Sequence, residues 1–262
     1  MLRVLEQFGD VEPFLQENSD LSPATRSQLL DILHNPQSLT TLKLELAAVV
    51  DMGVHFVKAT YRLEGDGLLI LVCYEEILKI RAAIQSAWYP NIQAVAKNAF
   101  PSNPSLQSQW AAYAISCVQP GIDYFHKRLG DDQSNPMKAF KAARFLSPFK
   151  MNEIQPMAMD IDNLQVFPFL VGDISGLKTE LPTYLAQAAD VSTGIDTLRW
   201  WKDHSEDLPC WSSAAKKVFL LQPSSAAAER VFSLLKNTFG DQQQNALHDY
   251  VEAALMLQYN KR

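Results

Sequence analysis

Three carboxylates have a type and spacing that could serve metal chemistry. Asp160 and Asp162 lie two residues apart in a polar stretch, where both could supply oxygens to one hard cation. A solvated turn between apolar segments accounts for the same pair without a metal. Glu229 follows a Pro-Ser-Ser break, which predicts that it lies in the first turn of a helix. The helix dipole stabilises an acid there whether or not it is catalytic.

The other common signatures of catalysis and metal binding are missing from the sequence. None of the five histidines is four residues from another, as a helical metal pair requires, and no P-loop, H-E-x-x-H, C-x-x-C or G-x-S-x-G motif occurs. The histidines are His34, His55, His126, His204 and His248. The cysteines Cys73, Cys117 and Cys210 are odd in number and widely spaced, which favours a reducing compartment.

A group of tryptophans follows at helical spacing. Trp200 and Trp201 precede Lys202, and Trp211 lies ten residues after Trp201. Aromatic side chains interleaved with basic ones can stack on nucleic-acid bases. At this spacing they more often anchor a core, and we favour that interpretation. The basic pair Lys216–Lys217 is interpreted as a solvated helix face.

The elements that must position these residues are predicted to be helices. The chain has 14 prolines and only 10 glycines. Among residues that interrupt secondary structure, this balance favours helices with defined ends over hairpins with tight turns. One apolar stripe at steps of three and four predicts a helix of about six turns. Its members are Leu39, Leu42, Leu46, Val49, Gly53, Phe56 and Thr60. The sequence Gly65-Asp66-Gly67 then predicts a turn.

Further along, Pro120-Gly121 is expected to stop a helix that bears Leu106 and Trp110. Residues 151–176 show little periodicity of either kind and are predicted to form an irregular packed connector. Helices are predicted over 226–239 and again near the C-terminus. We therefore predict a mainly α fold.

Composition narrows the class of protein. The 262 residues carry a net charge of −6, which argues against a chain-wide nucleic-acid footprint. No run of 18 apolar residues exists, so no membrane span is expected. Residues 1–10 lack the apolar segment of a signal peptide. These features predict an intracellular soluble protein.

Two segments near the C-terminus carry a resemblance to a known family. Residues 223–233, Pro-Ser-Ser-Ala-Ala-Ala-Glu-Arg-Val-Phe-Ser, resemble the P-x-S-S-x-x-x-E-R-x-F-S segment of hAT-superfamily DNA transposases. Residues 198–202, Leu-Arg-Trp-Trp-Lys, resemble the L-x-W-W-K segment of that family. The resemblance covers roughly residues 180–262. The helix over 44–64 is similar, more weakly, to the helical region that these transposases insert into their nuclease domain.

The resemblance implies an architecture and an incomplete catalytic site. In the family, a helical insertion interrupts a ribonuclease H-like core, and three acids bind two divalent cations. Glu229 matches the third acid and is expected to be vestigial, since the first two aspartates, the Cys-x-x-His motif and the zinc finger have no counterpart here. The expected domains are a helical insertion-like domain over 1–180 and a dimerisation region over 181–262, a helical remnant of the ribonuclease H-like core. No resident cofactor is expected, and Mg²⁺ or Mn²⁺ would bind only if the missing core were present.

The leading functional hypothesis is a nuclear dimerisation module of a domesticated transposase, not an enzyme. Its partners would be a second copy or related transposase-like proteins, through apolar faces of the last two helices. The proposed dimerisation residues are Val231, Phe232, Leu235, Val251 and Leu255. Those faces could equally close a core within one chain. The alternatives are part of a metal-dependent transposase whose N-terminal core is missing here, and a DNA-binding regulator, which the acidity disfavours.

Overall fold

The computed structural model describes residues 8–17 and 20–223, together with Glu229 and Met256. Within these residues the regular structure is helical and includes no strand, which confirms the mainly α prediction. The α-helices, in chain order, are α1 Val11–Glu17, α2 Pro23–His34, α3 Pro36–Leu63, α4 Cys73–Ser86, α5 Pro90–Ala99, α6 Pro104–Phe125, α7 Asn135–Ala143, α8 Pro148–Ile154, α9 Ile174–Ala188, α10 Thr197–Asp203 and α11 Pro209–Phe219. Short 3₁₀ helices span Phe8–Asp10, Leu69–Leu71, Arg144–Leu146, Asp160–Val166 and Pro168–Asp173, and a π-helical turn spans His126–Gly130.

Proline and polar caps set the starts of many helices. Proline occupies the first position of α2, α3, α5, α6, α8 and α11, where its missing N–H is not needed. The Ser22 hydroxyl accepts a hydrogen bond from the N–H of Thr25 at 3.1 Å, and the Asn103 side chain accepts one from Leu106 at 3.1 Å. Both contacts satisfy N–H groups that have no partner within the helix. The predicted turn at residues 65–67 is also present, with Gly67 at φ 109°.

The predicted stop at Pro120-Gly121 is wrong. Helix α6 continues through both residues to Phe125, and the π-helical turn follows directly. Proline inside a helix removes one hydrogen bond, which normally breaks or kinks it. Here Ile122 and Phe125 are buried just beyond the proline, and the ring of Phe125 meets that of Phe56 edge-on at 5.4 Å. This packing holds the last turn in place.

The prediction of an irregular packed connector over 151–176 is correct about packing but wrong about irregularity. The stretch contains the end of α8, two 3₁₀ helices and the start of α9. It contributes fully buried side chains, among them Met151, Ile161, Leu164 and Leu170. Short 3₁₀ helices have three residues per turn and end too soon to give a periodic pattern.

The chain forms two compact units. The first comprises residues 1–59 and 75–134. Its core consists of buried residues from α3, α5 and α6, including Leu44, Ala48, Ile92, Ala96 and Ala114. The buried carboxylate of Asp51 accepts hydrogen bonds from the N–H groups of Asn91 at 3.2 Å and Ile92 at 3.0 Å, and so caps the N-terminus of α5.

The second unit comprises residues 60–74 and 135–262. Its core draws on the 3₁₀ helix Leu69–Leu71 and on α7 to α11 with the 3₁₀ helices between them. The most bulky fully buried side chains are Trp211 and Tyr184. None of the described helices is long and apolar enough to cross a membrane.

Candidate functional site

The tryptophans singled out in the sequence converge on one tyrosine of the second unit. The ring of Tyr184 in α9 lies 5.5 Å from that of Trp200, 5.0 Å from that of Trp201 and 4.8 Å from that of Trp211. All four side chains are buried. Tilted aromatic pairs at these distances contribute beyond the area that they bury. The cluster therefore joins α9, α10 and α11 at a single point.

The polar ends of these rings are paired with backbone carbonyls. The Tyr184 hydroxyl donates to the carbonyl of Phe145 at 3.1 Å, and the Trp201 indole N–H donates to that of Leu146 at 2.8 Å. The Trp211 indole N–H donates to the carbonyl of Leu177 at 2.9 Å. Burial raises the pKa of Tyr184 well above its usual value, so its hydroxyl remains a neutral donor. Since the rings are enclosed, the expectation that the tryptophans anchor a core is confirmed.

Helix α11 is held at its N-terminus by a carboxylate from α9. Both oxygens of Glu180 accept hydrogen bonds from the N–H of Cys210, at 3.0 and 3.1 Å, and one also accepts from Trp211 at 3.2 Å. Pro209 opens the helix without an N–H, so these are its first two backbone donors. A negative charge there is favoured by the helix dipole. The hydrogen bond to Glu180 and burial raise the pKa of the Cys210 thiol to about 11.

The same two helices approach closely at Gly176. A Cβ atom added to Gly176 would lie 2.5 Å from the Cys210 sulfur. That distance is shorter than non-bonded contacts allow, so a larger residue at position 176 would require the Cys210 side chain to shift. The Cβ of Cys210 would lie at 3.4 Å, an ordinary contact distance. Neither Gly176 nor Glu180 was singled out by the sequence analysis. Both are about 30 residues from Cys210, and no local pattern signals such contacts.

The remaining candidate acids and bases lie in ordinary structural roles. Asp162 forms an ion pair with Lys178 at 2.7 Å, and Asp160 accepts the N–H of Met157 at 2.8 Å. Lys217 pairs with Asp173 at 2.7 Å. Among the residues that the structure describes, no group of three or more histidines, cysteines or acids could hold a metal ion.

The histidines are likewise dispersed. His204 stacks on Trp200 with ring centroids 4.0 Å apart, and its Nδ1 lies 2.8 Å from the Trp200 carbonyl oxygen. His34 contacts the Glu12 carboxylate at 2.9 Å. His55 lines the groove described below.

An open apolar groove in the first unit was not predicted. Its volume is about 590 Å³, and its walls include Val49, Gly53, Val54, Val57 and Trp88. Val49 and Gly53 belong to the apolar stripe from which the sequence predicted this helix. The periodicity identified the helix correctly, but it does not show which part of an apolar face is covered.

Glu229 is helical and exposed. Its predicted position in the first turn of a helix stays a prediction, because the neighbouring residues lie outside the described ones. The five proposed dimerisation residues, Val231, Phe232, Leu235, Val251 and Leu255, lie outside the described residues.

A comparison with known families identifies the C-terminal part of the chain. Residues 180–260 match the sequence model of the hAT family C-terminal dimerisation region. No curated protein and no solved structure matches the chain. The four residues of the buried aromatic cluster all lie within the matched segment. The match supports the interpretation that these residues resemble the C-terminal portion of an hAT-family transposase.

The matched region is structurally continuous with the residues before it. It begins within α9, and its described part includes α10, α11 and the Leu-Arg-Trp-Trp-Lys segment. Its buried side chains share one hydrophobic core with residues as early as Ile70 and Ala142. The division of the chain near residue 180 stays a prediction.

Proposed function

We propose that this chain acts as a protein dimerisation module derived from an hAT-family transposase. The observation that carries the proposal is the match of residues 180–260 to the dimerisation region of that family. The described residues of the matched segment form a well-packed structure, which is consistent with this proposal. The aromatic cluster and the Glu180 cap fix α11, from which the chain continues into the rest of the matched region.

The contacts between copies are proposed to come from the two helices predicted after residue 225. At helical spacing, Val231, Phe232 and Leu235 share one face of the first, and Val251 and Leu255 share one face of the second. Apolar side chains of this kind form the cores of stable homodimer interfaces. The partner would be a second copy or a related transposase-like protein.

Loss of catalysis belongs to the same proposal. Glu229 is the only acid that the family motif identifies in this chain, and two-metal catalysis needs several convergent carboxylates. We propose that the C-terminal helices are a remnant of a ribonuclease H-like core without the first two catalytic acids. A nuclear location and a domesticated origin complete the proposal, and both derive from the resemblance.

Sedimentation velocity of the full chain tests the dimer. The wild-type protein should sediment as a dimer from low to tens of micromolar concentration. Phe232→Asp and Leu255→Asp should each shift it towards the monomer, because a charge placed in an apolar interface is costly to bury. Phe14→Asp, an identical change at an exposed position of α1, is the matched control. A wild-type chain that stays monomeric would overturn the proposal.

A further inference from the structure

The two leucines that directly follow α11, Leu220 and Leu221, are exposed to solvent. Leu220 is 81% exposed, the largest fraction among the large apolar side chains that the structure describes, and Leu221 beside it is 36% exposed. The preceding turn is different, since Val218 is fully buried in the core of the second unit. The helix thus emerges from its own core with two uncovered leucines, immediately before the rest of the matched dimerisation region.

A second pair of exposed apolar residues lies beside this end of the helix. Helices α9 and α11 run antiparallel, because Glu180 contacts Cys210 at the start of α11 while Asp173 pairs with Lys217 near its end. The 3₁₀ helix Pro168–Asp173, which precedes α9 directly, therefore lies next to the C-terminal end of α11. Its Phe169 is 43% exposed and its Val171 is 56% exposed.

We propose that these four residues bind a second copy of this chain, and we call them the 169–221 surface: Phe169, Val171, Leu220 and Leu221. The inference rests on the proposed function and extends it. The family match begins at residue 180, whereas Phe169 and Val171 precede it. The dimer interface therefore includes residues outside the family-defined region.

Continuity with the dimerisation region identifies the occupant. Leu220 and Leu221 are themselves inside the matched residues 180–260, and the chain enters the remainder of that region two residues later. The partly exposed Lys217–Asp173 ion pair joins the two elements that carry the surface, and polar groups beside apolar side chains are usual in interfaces. Four side chains are too few for a stable dimer alone, so this surface would widen the interface proposed for the two helices predicted after residue 225.

Sedimentation equilibrium of the full-length chain measures the contribution of the surface. Val171→Asp and Leu220→Asp should each weaken dimerisation by about tenfold or more, which corresponds to about 1.4 kcal/mol. Val57→Asp is the matched control, because Val57 is 52% exposed and belongs to the first unit. Thermal melts followed by circular dichroism should show unchanged folding for all three variants, since each replaces an exposed side chain.

Photo-crosslinking identifies the occupant independently of any destabilising charge. With p-benzoylphenylalanine in place of Val171, a mixture of ¹⁴N and ¹⁵N chains should give covalent dimers that join peptides of different isotopes. Crosslinks confined to one chain, joining position 171 to residues 224–260, would overturn the inference, since the chain would then cover its own surface.

Two further outcomes separate this inference from the function on which it rests. A dimer that Phe232→Asp dissociates, but that Val171→Asp and Leu220→Asp leave unchanged, overturns the 169–221 surface and keeps the dimerisation module. A wild-type chain that is monomeric overturns both.

Discussion

Glu180 of α9 accepts two hydrogen bonds from the backbone N–H of Cys210, at 3.0 and 3.1 Å, and thereby ties two helices together at the start of α11. The first N–H groups of a helix have no partner within it, and a carboxylate satisfies them with favourable charge. Both residues lie within the segment that matches the hAT dimerisation region, so this contact joins two helices of the matched segment.

Removing the carboxylate should destabilise the second unit. Glu180→Ala leaves the first two donors of α11 without their acceptor, and we expect a loss of about 1–2 kcal/mol in the free energy of unfolding. Urea denaturation followed by tryptophan fluorescence reports largely on this unit, because three of the five tryptophans, Trp200, Trp201 and Trp211, lie in its core.

The matched control for that variant is Glu153→Ala. Glu153 forms an ion pair with Lys150 within α8 at 2.7 Å, and its side chain is partly exposed. Such pairs contribute roughly 0–1 kcal/mol. Equal losses for the two variants would show that the Glu180 carboxylate has no special role as a cap.

The close approach at Gly176 gives a steric prediction. Gly176→Ala should destabilise the chain by about 1–3 kcal/mol, because its Cβ would lie 2.5 Å from the Cys210 sulfur and would force that side chain out of its present position. Gly172→Ala is the control, since a Cβ there meets no atom within 4 Å. In the double variant Gly176→Ala with Cys210→Ala, the missing sulfur should recover part of the loss. Strictly additive effects in this double-mutant cycle would argue against the steric explanation.

The raised pKa of Cys210 predicts that its thiol reacts slowly with alkylating reagents. With a pKa of about 11, far less thiolate is present near pH 8 than for a free cysteine, so alkylation by iodoacetamide should be at least about tenfold slower. Glu180→Gln removes the principal cause and should accelerate the reaction at Cys210. Peptide mass spectrometry measures both rates, with the exposed Cys117 as the internal reference whose rate should not change.

The same shift gives a pH dependence of stability. A thiol whose pKa is raised by folding favours the folded state while it stays protonated, and this contribution is lost as the pH rises through the folded pKa. The free energy of unfolding should therefore fall between about pH 9 and pH 11. The fall should be smaller in Cys210→Ser, and an identical fall in that variant would contradict the assignment.

Residue types at short spacing in the sequence predicted local structure correctly at several positions. The turn at residues 65–67 and the burial of the Trp200–Trp201 pair both follow from residue types at short spacing. Predictions failed where tertiary packing decides. Helix α6 continues past Pro120 because the residues that follow it are buried in the core. The local sequence does not show that burial.

In the candidate site, too, the sequence identified residues grouped along the chain but not those brought together by tertiary packing. The tryptophans were identifiable from their spacing, but Tyr184, at the centre of the cluster, lies 16 residues before Trp200 in another helix. Glu180 and Gly176 act on Cys210 only after α9 and α11 are brought side by side. The Pro-Ser-Ser break before Glu229 predicted its place on a helix, but the match of Glu229 to a catalytic acid depended on the family motif.

We expect this chain by itself neither to cut nor to join DNA. Two-metal catalysis requires carboxylates that hold two cations about 3.5–4 Å apart, and a lone carboxylate binds Mg²⁺ weakly because the ion gives up its water reluctantly. The other acids considered have structural contacts, since Asp162 pairs with Lys178 and Asp160 accepts the N–H of Met157. Incubation of the purified chain with Mn²⁺ and DNA carrying terminal repeats of the hAT type should give no nicks above a protein-free control on a sequencing gel. Cleavage that persists in Glu153→Gln but disappears in Glu229→Gln would contradict this prediction, and it would mean that other acids of the chain complete a nuclease site around Glu229.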